Sequence, residues 1–221
     1  MISICLPTRG RPESFKKMYI SALQNAVEPD EIQFVVYRDN DDESIYEYPK
    51  NHKEVRGERI IQSQMYNECQ KVATGPIYMF AADDIVFCTK DWDKRVAETF
   101  EKYPDKILFV FPNDKRYRSR FGSTGFMHKN WVDALGYFLP PYFAAQYADN
   151  WVNCISGGVN RKIYLGDVII VHCVITDDKT HAEYWRRGQE LQSKRVYYFS
   201  KKEERERSIT ILQKFIDNFK S

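Results

Sequence analysis

Two adjacent carboxylates, Asp83 and Asp84, close an apolar run that begins at Ile77, and apolar residues resume at Ile85. The residues at 77–80, Ile-Tyr-Met-Phe, favour a buried strand, so the acids stand where the backbone leaves the core. A carboxylate in that position loses hydration unless a cation or hydrogen-bond donors replace the water. A divalent metal is the natural replacement. Consecutive side chains on a strand diverge, which gives the pair two tasks: one acid reaches a metal while the other accepts hydrogen bonds from a sugar hydroxyl. The plainer alternative is a turn in which both acids cap the succeeding segment. Polar groups also end two other apolar runs, Thr8-Arg9 after residues 2–6 and Arg38-Asp39 after residues 32–37.

The elements that must position these groups read as an alternation. Residues 2–6 form a strand stopped by Pro7, and Phe15, Met18, Tyr19, Ala22, Leu23 and Ala26 then recur at helical spacing. The strand at 32–37 runs into an acidic loop, 38–43, too polar to expect in the interior. A short strand is expected at 58–61, a helix at 63–73 ended by Gly75, a helix at 91–103 and a strand at 107–111 closed by Pro112. This β-loop-α order predicts a largely parallel sheet covered by helices, with ligands bound outside the strand carboxyl ends. The second half holds a basic loop at 113–120, a Gly-containing strand at 123–128, a helix at 130–137 and a rigid aromatic connection at 139–143. A helix at 145–155 carries Asp149, and two short strands are expected within 162–174 around Gly166-Asp167. Helical spacing returns at Tyr184, Trp185, Leu191, Ile209, Leu212, Phe215 and Phe219. No repeat or linker divides the 221 residues, so one unit is expected.

Composition narrows the classes. Hydrophobic residues make up 43% and charged residues 29%, which excludes disorder as the main state. Apolar stretches fall short of a membrane span, and the chain opens on a strand without a basic leader, so a cytoplasmic protein is expected, in the host cell if the source is viral. Five cysteines lack any Cys-x-x-Cys pairing and read as reduced core thiols rather than a zinc site. With a net charge of only +2, any polyanion contact must come from a local patch.

The joint order of Pro7-Thr8, the 35–39 segment ending in Asp39, Asn67 ahead of Thr74-Gly75, and the buried strand ending in Asp83-Asp84 resembles the nucleotide-sugar glycosyltransferases of the GT-A fold. The similarity is closest to the large inverting family two, and it covers roughly the first half of the chain. It implies a GT-A-like three-layer α/β/α sandwich with a mostly parallel central sheet and a C-terminal helical extension. A nucleotide-sugar-binding half at 1–112, an acceptor half at 113–175 and a helical segment at 176–221 would result. The implied reaction is metal-dependent transfer of a hexosyl or pentosyl group from a nucleotide diphosphate sugar, a UDP-sugar, to an acceptor hydroxyl. Position by position, Pro7, Thr8 and Arg9 would border base and phosphates, Asp39 would accept from the base, and Asn67 would serve the nucleotide. Asp83 would hold the ribose, and Asp84 would bind Mn²⁺ or Mg²⁺. Relatives often read Asp-x-Asp here; this chain has Ala81-Ala82-Asp83-Asp84, which leaves the ligand role open between the two acids.

An inverting transfer needs a base for the acceptor hydroxyl proton. Within the resemblance that base is Asp149, following the glycine-containing acceptor stretch with Gly125; outside it, Asp149 reads as a helix N-terminal acid. His172 is either a core histidine or a late metal ligand of the kind several GT-A enzymes use. His181 reads as solvated, with Lys179 and Arg186 as weaker phosphate contacts, and His128 as a strand-end surface residue or an acceptor contact. The run 115–120 holds four cations and Tyr117. It is a solvated loop or, through Arg116 and Arg118, an acceptor-side phosphate contact, which admits a nucleic acid and a hydroxylated base in viral DNA as acceptor. Nucleotidyl transfer and a non-catalytic nucleotide-binding module are the competing readings. The first expects a Gly-rich basic loop of which residues 8–11 are a faint version and leaves Asp149 without a task.

Overall fold

The computed structural model describes residues 1–144, 146–173, 186 and 194–219. Among the described residues, eight strands build one sheet: β1 (Ile2–Pro7), β2 (Ile32–Asp39), β3 (His52–Gly57), β4 (Ile77–Phe80), β5 (Ile85–Phe87), β6 (Phe109–Asn113), β7 (Gly125–His128) and β8 (Lys162–His172). Their order is β3-β2-β1-β4-β7-β6-β8-β5. The helices are α1 (Pro12–Asn25), α2 (Gln62–Val72), α3 (Trp92–Glu101), α4 (Lys129–Leu135), α5 (Ala148–Gly158), α6 (Lys194–Ser200) and α7 (Lys202–Asn218). Among the described residues no helix is long and apolar enough to cross a membrane.

Helices cover both faces, as the alternation predicts. Phe15, Met18 and Ala22 of α1 and Trp92, Val96 and Phe100 of α3 pack on one face. Tyr66 of α2, Trp131 of α4, Trp151 and Ile155 of α5, and Leu212 and Ile216 of α7 pack on the other. Trp92, Trp131 and Trp151 are fully buried. Such a side chain contributes roughly 2–3 kcal/mol by leaving water, which is why these three anchor the layers.

Strand direction decides where the loops emerge. β3, β2, β1 and β4 are mutually parallel neighbours. β7 runs antiparallel to both β4 and β6, so β6 recovers the direction of β4, and β8 is parallel to β6. The carboxyl ends of β1, β2, β4, β6 and β8 therefore open at one edge of the sheet. Thr8, Asp39, Asp83, the basic loop and His172 all lie there.

Several expectations are corrected. The third strand is His52–Gly57, not 58–61; this edge strand is mostly polar and exposed, so it lacks the apolar signature of a buried one. The acidic loop is partly interior: Arg38, Asp39 and Asp42 are only 3%, 4% and 5% exposed. Arg38 makes this tolerable by pairing with Asp42 at 3.2 Å, donating to the Asp42 and Ser44 carbonyls, and lying 4.2 Å from the Tyr46 ring centre. Helix α2 stops at Val72 with Ala73 extended. Gly75 serves close approach instead, since a Cβ there would sit 2.9 Å from the Met1 carbonyl oxygen. Pro112 lies inside β6, and the two strands expected around Gly166-Asp167 are the single β8, which bulges between its pairings to Pro112 and Asn113. All five cysteines are free, but only Cys5 and Cys69 are buried; Cys88, Cys154 and Cys173 are exposed.

Candidate active site

Pro7 ends β1, and the loop beyond it carries the groups that meet the acids. Gly10 takes φ +66°, a left-handed turn that glycine adopts without a Cβ penalty. The turn sends its two flanking arginines to different carboxylates. Arg11 donates to Asp83 Oδ1 at 2.9 Å, and the Thr8 hydroxyl donates to Oδ2 at 2.7 Å. Asp83 is buried, and burial pushes its carboxyl upward while Arg11 and Thr8 pull it back. An acid so held stays oriented and keeps lone pairs for a further donor.

Asp39, the last residue of β2, is treated similarly by Arg9 and Arg59. Its Oδ2 faces Arg9 at 3.1 Å and Arg59 at 3.5 Å. Its Oδ1 is buried and has no hydrogen-bond partner among the described residues. Burial also raises this carboxyl, opposed by both arginines. An unsatisfied buried acceptor costs about 1–3 kcal/mol, so a ligand N–H placed there has a ready partner. Arg9 additionally forks onto Asp41.

Asp84 differs from both. It is half-buried, and its carboxylate makes no hydrogen bond or ion pair to any described residue. Its backbone is fixed instead, because the Cys173 N–H donates to the Asp84 carbonyl at 2.7 Å and Ile85 pairs with His172 across β5 and β8. His172, exposed at the end of β8, is thus one ladder position from Asp84. Among the described residues no three His, Cys, Asp or Glu side chains converge into a metal cage. The hard cations that bridge diphosphates take one or two carboxylates and fill their shell with phosphate and water oxygens, so an unengaged Asp84 beside His172 fits such an ion.

Asp149 sits in the first turn of α5, after Tyr147 at φ +75°. The Asn150 N–H donates to its Oδ1 at 2.9 Å, and no cation pairs with it among the described residues. Burial raises its carboxyl to about 6. Asn153, one turn later, donates to the Asp149 carbonyl at 2.8 Å and exchanges two hydrogen bonds with the Gly122 backbone, at 2.9 and 2.8 Å. Gly122 precedes β7 at the same sheet edge, so Asp149 belongs to the edge that carries Asp83.

The Asn67 amide donates to the Leu139 carbonyl at 2.8 Å and accepts from the Phe138 and Leu139 N–H groups, which makes it a brace between α2 and the aromatic connection. Gly125 is buried within β7, where a Cβ would meet Phe109 at 2.5 Å and the Val110 carbonyl at 2.7 Å. Arg116 and Arg118 are exposed on the loop after β6. His128 is buried rather than at the surface: its Nδ1 accepts from the Asn130 N–H at 3.2 Å, and burial with Lys106 and Lys129 nearby lowers it to about 4. Arg186 is exposed, while Lys179, His181, Tyr184, Trp185 and Leu191 lie outside the described residues. Arg11, Arg59 and Tyr46, whose hydroxyl accepts from the Arg11 N–H at 3.1 Å, are the residues around these acids that motif reasoning passed over. Arg11 had a local signal, since a glycine between two arginines just after Thr8 implies a turn that splits them.

No protein-family model matches the chain, and no curated protein matches it in sequence. Solved structures share its fold. The mannosyltransferase PcManGT from Pyrobaculum calidifontis, in complex with GDP-Man and Mn²⁺, matches with a TM-score of 0.63 at 18% identity, over 90% of this chain and 63% of its own. S. aureus TarS matches with a TM-score of 0.61 at 13% identity, over 84% of this chain and 38% of its own. TarS 1–349 in complex with UDP-GlcNAc gives 0.60 at 12% identity, over 82% and 60%. The chain spans 38% to 63% of the length of these structures. The fold is the GT-A-like α/β fold of nucleotide-sugar glycosyltransferases.

Proposed function

We propose that this chain is an inverting, metal-dependent glycosyltransferase that moves a sugar from a nucleotide diphosphate sugar, UDP-linked in this reading, to an acceptor hydroxyl. The supporting observation is the convergence at one sheet edge of four acids in four different states: Asp39 half-satisfied, Asp83 locked, Asp84 unengaged and Asp149 desolvated. Each state suits one task.

The free Oδ1 of Asp39 accepts the imide N–H of a pyrimidine base, with Arg9 and Pro7 beside it. Asp83, held by Thr8 and Arg11, accepts from a ribose hydroxyl. Asp84, with His172 next to it in the ladder, would hold Mn²⁺ or Mg²⁺, which supplies positive charge against the departing diphosphate. PcManGT in complex with GDP-Man and Mn²⁺ supports a divalent ion, and TarS in complex with UDP-GlcNAc supports a uridine donor. Asp149 takes the proton of the acceptor hydroxyl as its oxygen attacks the anomeric carbon from the face opposite the leaving group. The bond from that carbon to the diphosphate oxygen breaks, and its electron pair leaves with the nucleoside diphosphate. A carboxyl titrating near 6 is ionised at neutral pH yet more basic than a solvated one, as a general base requires. A hydroxylated base in viral DNA is one acceptor consistent with this reading.

The test is Asp149→Asn. UDP affinity should stay within about twofold while transfer falls by roughly 10²–10⁴. Undiminished transfer by this variant overturns the assignment of the base.

A further inference from the structure

The whole chain is nearly neutral, with 33 basic and 31 acidic residues, yet 115–120 holds Lys115, Arg116, Arg118 and Arg120 and no acid. All four are exposed, and none makes an ion pair with a described residue. A merely solvated cationic loop has no need of internal order. This loop is built. Asp114 is buried beneath it, and its Oδ1 accepts the N–H groups of Arg116, Tyr117 and Arg118 at 3.0, 2.7 and 3.0 Å. Lys115 and Arg118 hold left-handed backbone at φ +60° and +52°, which costs a non-glycine residue roughly 1 kcal/mol or more. Lys162 donates to the Arg120 carbonyl at 2.8 Å, bringing a fifth cation to the loop.

The far end of the loop is tied to the proposed catalytic turn. Asn153 grips the Gly122 backbone from both sides and also donates to the Asp149 carbonyl. One side chain therefore fixes the register between the cationic loop and the carboxylate assigned to the acceptor proton. Three of the four exposed cations are arginines, whose planar forks engage phosphate oxygens two at a time. Arg116 lies 5.0 Å from the Tyr117 ring centre, and Tyr117 meets Phe121 edge-on at 5.5 Å, so a flat cation and an aromatic ring stand together where a base could stack.

We infer that residues 114–122 form the docking surface for the acceptor and that this acceptor is a nucleic acid, its phosphates on Arg116, Arg118 and Arg120 and its reacting hydroxyl carried to Asp149. The inference rests on the transfer reading above for the role of Asp149 alone; the binding surface stands on the loop.

The experiment is fluorescence anisotropy of labelled plain and hydroxymethylated DNA duplexes against the full chain and its Arg116→Ser/Arg118→Ser/Arg120→Ser variant, between about 50 and 200 mM salt. Wild type should bind at low salt, with log affinity falling linearly in log salt. The variant should bind at least about tenfold more weakly, with a slope shallower by about 0.9 for each phosphate it no longer neutralises. Its calorimetric UDP affinity should equal that of wild type, which also reports that it folds. Absent DNA binding by wild type at low salt, an unchanged slope in the variant, or poly-glutamate of matched charge competing as well as DNA each overturns the inference. Failure here with intact Mn²⁺-dependent UDP binding removes the acceptor assignment and leaves the donor site standing.

Discussion

Asp149 is kept at a cost. Its carboxyl titrates at about 6 in the fold against an ordinary 3.8, so between those values the folded chain binds the extra proton. Stability therefore rises as pH falls through 6 toward 4, and at neutral pH the whole penalty is present. Asp149→Asn keeps an oxygen for the Asn150 N–H and removes the charge. Denaturant unfolding at pH 7 should find this variant more stable by about 1–2 kcal/mol, with the difference shrinking below pH 6 and gone below about 4. A less stable variant at pH 7 would mean that the carboxylate is supported rather than desolvated. The same titration should put an acid limb near pH 6 on wild-type kcat/KM. At this scale types were legible and partners were not: Asp39, Asp83, Asp84 and Asp149 could be picked from the chain, whereas Arg11 on Asp83 and Arg59 on Asp39 are pairings between distant strand ends, 72 and 20 residues apart in sequence by their numbers.

Elements were legible in proportion to how much apolar surface they bury. β1, β2 and β4 have a strand on either side and announce themselves by continuous apolar runs. β3 at the edge is written in charged residues, and β8 hides a bulge that sequence spacing reads as a break between two strands. Glycine was the least readable residue, because it records what approaches it and not what it does. The sequence reads Gly125 as an acceptor contact, and in the fold Phe109 and the Val110 carbonyl occupy the space a Cβ would need, which by itself calls for glycine. Gly125→Ala should lower stability by about 2–3 kcal/mol through overpacking. Thermal unfolding and acceptor kinetics on the same preparation check this, and a change in acceptor KM at unaltered stability would restore the first reading. Asn67 is comparable. Its motif position points at the nucleotide, and its amide bonds go to Phe138 and Leu139, so it joins α2 to the aromatic connection.

For the molecule as a whole, the β-loop-α rhythm of the first 112 residues was enough to foresee the layers and the sheet edge at which the candidate residues gather. What it could not reveal is β7, antiparallel to both its neighbours β4 and β6, across which β6 keeps the direction of β4, so that the loop after β6 opens at that same edge. That arrangement is why the basic loop and His172 open at the same edge as the residues that follow the opening strands. The most direct test of the account is calorimetric titration of UDP into wild type and Asp84→Asn, each with and without Mn²⁺. The expected result is that Mn²⁺ tightens UDP binding by wild type by tenfold or more, about 1.4 kcal/mol, and that the variant loses this gain while keeping its metal-free affinity. Equal enhancement by Mn²⁺ in both proteins would contradict the account at its centre.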